Sequence, residues 1–64
     1  MRIDRIKFVV TMTEKNLTQR KLAEMSGVSR VTVSAIKNGK NCSYETAVRL
    51  AKALDVDLEE LITD

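Results

Sequence analysis

Residues 17 to 39, "LTQRKLAEMSGVSRVTVSAIKNG", contain two short helical patterns with one glycine between them. Thr18 and Ser29 are residue types that favour the N-cap of a helix, and each precedes an amphipathic run. Gly27 lies where the chain must turn without a side chain in the way. A helix, a short turn containing glycine and a second helix form the pattern of a helix-turn-helix, although two ordinary antiparallel helices of a bundle would accept most of these residues.

The flanking sequence predicts three more helices. The first is predicted over residues 3–14, closed by Asn16 in a left-handed conformation, and Asn38-Gly39 supplies a similar exit for the third. Ser43 is predicted to cap a fourth helix, and Asp57, with a glutamate three residues later, has the spacing of a capping box that begins a fifth. The residues predicted to face the core in helices two to four are Leu22, Ala23, Met25, Val33, Ile36, Ala47, Val48, Leu50, Ala51 and Leu54. We therefore expect an all-α, compact five-helix bundle forming one domain over residues 1–64.

Composition excludes several classes of protein. The chain has 64 residues, 44% hydrophobic but only 3% aromatic, so one small core of aliphatic side chains is expected. Cys42 is the only cysteine and histidine is absent, which excludes an internal disulfide and the usual zinc sites. No nucleophile with a neighbouring base and no phosphate-binding glycine loop is present, so we expect no enzyme, no cofactor and no small-molecule substrate. No apolar run approaches the roughly 20 residues of a membrane span, which predicts a cytoplasmic protein.

Charge is divided unevenly along the chain. Residues 1–42 hold nine basic and three acidic residues, a net charge of +6, whereas residues 43–64 hold two basic and six acidic residues, a net charge of −4. This division predicts a basic face directed at a polyanion and an acidic opposite end.

The motifs "LTQ", "LA", "GVS" and "NGK", with Val33 and Ile36 spaced by three, resemble the Cro and repressor-type (XRE-like) helix-turn-helix family. "AVRLAKALDVDLEELI" resembles the fourth and fifth helices of the same family, so the resemblance covers about residues 6–62. It implies a lambda-repressor-like DNA-binding domain with the helix-turn-helix at helices 2 and 3, and with the third helix in the major groove of double-stranded DNA.

The resemblance also implies site residues. Those at positions that face base edges are Arg30, Val31, Ser34 and Ala35. Those at positions that touch the sugar-phosphate backbone are Gln19, Ser29, Asn38 and Lys40. Arg30 is the outward residue able to form a bidentate contact with guanine, and Val31 and Ala35 could meet thymine methyl groups. The ordinary alternative for Arg30, Val31 and Lys40 is exposed surface, and that for Gln19 and Asn38 is the satisfaction of helix ends. The role of Thr32 stays open.

Two departures from the family pattern stand out. Many members pair an arginine at the position of Met12 with a glutamate at the position of Lys37, and this chain has neither partner. Cys42 and Asp55 stand where proline and glycine are common, which predicts a less rigid loop before the fourth helix and a less rigid turn before the fifth.

These observations predict a sequence-specific transcriptional repressor that acts as a homodimer on a palindromic operator, with half-sites about 34 Å apart. The candidate dimer contacts are the apolar residues Ile3, Val9 or Val10 in the first helix and Leu61 and Ile62 near the carboxyl end. Two alternatives remain open: an antitoxin of this fold that binds a toxin and represses its own operon, and a protein-interaction module that has lost DNA binding.

Overall fold

The computed structural model describes residues 1–63, and its regular structure is helical. The elements in chain order are α1 (Arg5–Glu14), α2 (Gln19–Ser26), α3 (Arg30–Lys37), α4 (Tyr44–Leu54) and a single 3₁₀ turn (Leu58–Glu60). The all-α class is confirmed, and the predicted count of five helices is not, since residues 1–63 form four α-helices and one 3₁₀ turn. No helix within residues 1–63 has the length and hydropathy needed to cross a membrane.

The predicted fifth helix is only a 3₁₀ turn because the chain leaves it to pair with the amino-terminal segment. The Leu61 N–H donates to the Leu58 carbonyl three residues back, at 2.9 Å. Ile62 then forms an isolated antiparallel bridge with Ile3, and the Asp4 N–H donates to the Leu61 carbonyl at 2.7 Å. The backbone groups that would extend a helix are therefore used to join the two ends of the chain.

The predicted caps of α2, α3 and α4 are confirmed. The hydroxyl oxygens of Thr18, Ser29 and Ser43 each accept a hydrogen bond from the backbone N–H three residues later, at 3.0, 3.2 and 3.1 Å. In α1 the cap is Asp4, whose carboxylate accepts from two backbone N–H groups. The helix therefore begins at Arg5, two residues after the predicted start.

The predicted chain reversals are mostly confirmed. Asn16 closes α1 with a φ of 57° and Gly27 closes α2 with a φ of 73°, both in the left-handed region. After α3 the left-handed residue is Gly39, with a φ of 92°, whereas Asn38 keeps a φ of −91°. Asp55 closes α4 with a φ of 58°, a conformation that favours glycine.

The core lies where α2 packs against both α3 and α4 and α1 packs against α3. Its buried residues are Ile3, Phe8, Met12, Leu22, Ala23, Val33, Ile36, Ala47, Leu50, Ala51, Leu54 and Leu61. The prediction that Met25 faces the core is wrong, because its side chain is half exposed. Val48, also predicted to face the core, is only half-buried. Ser26, four residues after Leu22, takes the inward position of that turn, as the 3.6-residue period of a helix requires.

The buried ends of the chain also correct the predicted dimer contacts. Ile3 is 1% exposed and Leu61 is 0% exposed, so both are core residues of a single copy and neither can contact a second one. Val9 and Val10 are exposed, and Ile62 is half-buried.

Candidate nucleic-acid interface

The turn between α2 and α3 fixes how the second helix is presented. The Gly27 N–H donates to the Ala23 carbonyl at 3.0 Å, which ends α2, and Ser29 caps α3 two residues later. Between them, Val28 is half-buried and packs against the core. A left-handed glycine followed by an anchored valine leaves α3 little freedom to change its angle to α2.

The first residue of α2 meets the outer face of α3 in one open cleft. Gln19, Arg30, Val31 and Ser34 line this cleft, whose volume is about 420 Å³. Gln19 is half-buried, whereas Arg30 and Val31 are exposed. The structure therefore brings together one predicted backbone contact and three of the four predicted base contacts.

The two valines of α3 differ completely in their surroundings. Val33 is 0% exposed in the core, whereas Val31 is 80% exposed, the largest exposed fraction among the large hydrophobic side chains of residues 1–63. Val31, Ser34 and Ala35 follow the i, i+3, i+4 spacing of one helix face. Ser34 and Ala35 are half-buried, so α3 presents a shallow, weakly polar surface beside the arginine at its first position.

The hydroxyl groups at the start of α3 form a small network. The Ser29 hydroxyl accepts from the Thr32 N–H and donates to the Thr32 side-chain oxygen at 2.9 Å. The proton of Ser29 is thereby engaged, which leaves the Thr32 hydroxyl proton as the one that can turn outward. Thr32, whose role the sequence leaves open, therefore offers a second hydroxyl group beside Ser29, where a contact with the DNA backbone is predicted.

The remaining predicted backbone contacts lie beyond the other end of α3. Asn38 and Lys40 are exposed and flank the left-handed Gly39. The Lys40 N–H donates to the Ala35 carbonyl at 3.0 Å, which fixes the loop against the helix. Gln19 and Asn38 therefore stand at opposite ends of a helix whose eight residues rise about 12 Å.

The basic side chains of α3 and of the loop after it are not paired with any carboxylate of the described residues. Within residues 1–63 the ion pair formed is Arg49 with Glu45, at 2.9 Å, on the surface of α4. Arg30, Lys37 and Lys40 form no ion pair with any other described residue. At the positions of the family's arginine and glutamate, Met12 lies in the core and Lys37 is exposed.

Comparisons with known proteins identify the family. The helix-turn-helix family profile matches residues 11–61. An HTH-type transcriptional regulator of Methanocaldococcus jannaschii is 45% identical over 47 residues, covering 72% of this chain and 71% of that protein. Control protein C.SmaI of Serratia marcescens is 37% identical over 49 residues, covering 75% of this chain but only 58% of that protein.

A solved structure has the same fold. The restriction-modification controller protein C.AhdI of Aeromonas hydrophila superposes with a TM-score of 0.83 at 33% sequence identity, covering 88% of this chain and 86% of that chain. Its fold is shared over nearly the whole of the chain, and the family profile covers α2, α3, α4 and the turn between α2 and α3 but not the core residues Ile3 and Phe8. The chain belongs to the helix-turn-helix family of DNA-binding transcriptional regulators, which is not a class of enzymes.

Proposed function

We propose that this protein is a sequence-specific repressor that binds an operator through α3 in the major groove of double-stranded DNA. One observation carries the proposal: Gln19 at the start of α2 lies in the same open cleft as Arg30, Val31 and Ser34 of α3. A B-DNA major groove admits one α-helix, and a group at the end of the preceding helix is then placed to hold the flanking phosphate.

Each side chain of the outer face has a distinct part in base reading. Arg30 donates two hydrogen bonds to guanine, the commonest specific contact in the major groove. Val31 and Ala35 pack against thymine methyl groups, which explains why an apolar residue that is 80% exposed lies on this face. Ser34 can donate or accept and therefore selects weakly between bases.

The backbone contacts supply affinity without sequence preference. Gln19 and Asn38 hold phosphates at the two ends of α3, and the Thr32 hydroxyl, oriented by its hydrogen bond from Ser29, donates to a phosphate at its start. Lys40 adds a cation in the following loop. Because cationic contacts release counterions, this part of the affinity should fall steeply as salt is raised.

A dimer is part of the proposal, because one short helix reads only a few base pairs. Two copies related by two-fold symmetry would read a palindrome with half-sites about 34 Å apart. With Ile3 and Leu61 buried, the candidate contacts left from the apolar residues of the sequence are Val9, Val10 and Ile62. Arg5 and Lys37 lie beside Val9 and Val10, so two identical patches would bring four cations together, and Ile62 is the dimer contact we favour.

Selection of bound sequences from a random DNA pool at low salt tests sequence-specific binding. We expect an enriched motif made of two inverted half-sites, each with a guanine beside a thymine-containing step. Recovery of DNA with no enriched motif would overturn the sequence-specific proposal, and a single asymmetric motif would overturn the dimer. Repression is tested separately by placing the selected site over a reporter promoter, where the protein should lower expression.

Similarity to controller proteins favours a second candidate. C.AhdI is a restriction-modification controller and C.SmaI is a control protein, so this chain could regulate genes of that kind. Binding of the selected motif upstream of restriction and modification genes would support this candidate, and raised expression from the reporter would favour activation over repression.

A further inference from the structure

A groove on the side of α1 is not explained by DNA recognition. Arg5, Ile6, Val9, Val10, Lys37 and Asn38 line it, and its volume is about 340 Å³. We propose that this α1 groove binds an acidic amphipathic helix of a partner protein, and that the partner competes with DNA. The competition rests on the proposed function, whereas the binding does not.

The floor of the α1 groove is an exposed apolar stripe. Ile6, Val9 and Val10 have the i, i+3, i+4 spacing of one helix face and are 65%, 36% and 49% exposed. The opposite face of α1 carries Phe8 and Met12 into the core. The helix therefore has two apolar faces, only one of which the fold covers, and a contiguous exposed apolar patch is characteristic of an interaction site.

The rim of the groove determines the charge of its occupant. Arg5 and Lys37 stand at the edge, and neither forms an ion pair with another residue of the range 1–63. An identical patch from a second copy would bring four cations around one apolar contact, which is unfavourable. Duplex DNA could neutralise the cations but presents no comparable apolar stripe to the valines.

An amphipathic helix with acidic flanks complements both the apolar floor and the basic rim of the groove. Apolar side chains at i, i+3, i+4 and i+7 of the partner would pack on Ile6, Val9 and Val10. Its flanking carboxylates would pair with Arg5 and Lys37. Such a stripe is about 10 Å long, so it covers the roughly 6 Å of α1 from Ile6 to Val10 and extends beyond it.

The position of the groove gives the partner an effect on DNA binding. Asn38 lines the groove and is also a proposed phosphate contact, and Lys37 is its neighbour at the end of α3. Carboxylates held there would occupy the place of a phosphate and repel the DNA backbone. The partner would therefore act by releasing the protein from its operator.

Synthetic peptides test the binding with the intact chain. The probe is a helical 15-residue peptide with leucines at i, i+3, i+4 and i+7 and glutamates on both flanks, and its control carries lysines in place of the glutamates. Backbone amide NMR shifts should move in α1 and at Lys37 and Asn38 with the acidic peptide only. Equal affinity for the two peptides, or shifts confined to other elements, would overturn the proposal.

Variants of the groove provide the matched controls. Val10→Ser should weaken binding of the acidic peptide by about tenfold, the loss expected for one apolar contact. Lys37→Glu should weaken the acidic peptide and strengthen the lysine peptide. Lys7→Glu, a charge reversal on an exposed residue of α1 outside the groove lining, should change neither affinity. Thermal unfolding of each variant verifies that it is folded.

Two further measurements separate the possible outcomes. A saturating amount of the acidic peptide should lower affinity for the selected operator, and an unchanged operator affinity would overturn the competition. If selection returns no operator but the peptide still binds at the groove, the proposed function fails and the partner site stands. If Val10→Ser converts a dimer into a monomer in sedimentation, the groove is a contact between copies and the partner proposal is wrong.

Discussion

Val31 and Val33 lie two positions apart in α3, and only Val33 has a reason to be apolar within a single copy. Val33 is 0% exposed and Val31 is 80% exposed. Val31→Ser should change the free energy of unfolding by less than about 0.5 kcal/mol. It should also reduce the preference for thymine at one position of each half-site, because the contact with the thymine methyl group is lost. Binding to single-base variants of the operator measures this preference.

Val33→Ala is the matched control. It should cost about 1–3 kcal/mol in urea unfolding, since it removes buried methyl groups from the core. If Val31→Ser leaves binding to every sequence unchanged, Val31 is ordinary surface and the proposed methyl contact is wrong.

Cys42 gives a prediction about reactivity and pH. Its thiol is half-buried, and burial raises its pKa above the ordinary value although the amino-terminal ammonium acts in the opposite direction. Reaction with a thiol reagent near pH 8 should therefore be slower in the native protein than in the urea-unfolded chain. Because the folded pKa is raised, the thiol's contribution to stability is complete below the unfolded pKa and declines as pH rises through the folded pKa. Native reactivity equal to that of the unfolded chain would contradict this account.

At the scale of elements, α3 and α4 begin with the same serine cap. Comparing the two caps separates the contribution of a cap to stability from a contribution to DNA binding. Ser29 and Ser43 each accept from a threonine N–H and donate to the same threonine's hydroxyl. Ser29→Ala and Ser43→Ala should each cost about 1 kcal/mol in thermal unfolding, as the loss of an N-cap predicts. Only Ser29→Ala should in addition weaken operator binding, measured under conditions where both variants are fully folded. An equal effect of the two variants on DNA binding would remove Ser29 from the interface.

The ends of α1 and α4 carry left-handed residues that are not glycine. Asp55 closes α4 with a φ of 58° and also places a negative charge at the carboxyl end of the helix, where the dipole disfavours it. Asp55→Gly should therefore raise the free energy of unfolding by about 0.5–1 kcal/mol. Asn16→Gly should gain less, because asparagine tolerates this conformation and carries no charge. A loss of stability in Asp55→Gly would show that its side chain has another role.

The sequence predicts those elements whose signals are local. Thr18, Ser29, Ser43 and Gly27 act within three or four residues of their own position, and all four are in the predicted roles. The last helix could not be predicted, because its end is determined by pairing between Ile3 and Ile62, far apart in the chain.

The residues of the candidate site also divide into those that a local pattern predicts and those that it does not. The periodicity of α3 separates Val31 from Val33, but no local pattern places Gln19 in the cleft beside Arg30, and that expectation came from the family resemblance. The sequence names Val9 or Val10 only as candidate dimer contacts, and the groove that they form with Lys37 and Asn38 depends on how α1 packs against α3. Only the packed structure separates the exposed Val9 and Val10 from the buried Phe8.

At the scale of the whole molecule, the uneven charge has a clear consequence for DNA binding. The basic residues of the first 42 positions include Arg30 and Lys40 at the proposed interface, whereas the carboxyl-terminal part is acidic. Affinity should depend strongly on salt, but base preference should not, because counterion release follows the phosphate contacts alone. A protein that binds DNA through its charge and not through α3 would show the salt dependence of affinity but no base preference.

The most direct test of the account is the binding of Arg30→Ala to the selected operator and to all its single-base variants. We predict a loss of about 1–3 kcal/mol on the operator, with base preference lost mainly at one position of each half-site. The control is Arg20→Ala, which removes an exposed cation of α2 that lies outside the cleft. Because such a cation can contact only the phosphate backbone, its loss should weaken binding equally on every sequence. If Arg30→Ala also weakens binding equally on every sequence, Arg30 contacts phosphate and α3 does not read bases in the way proposed.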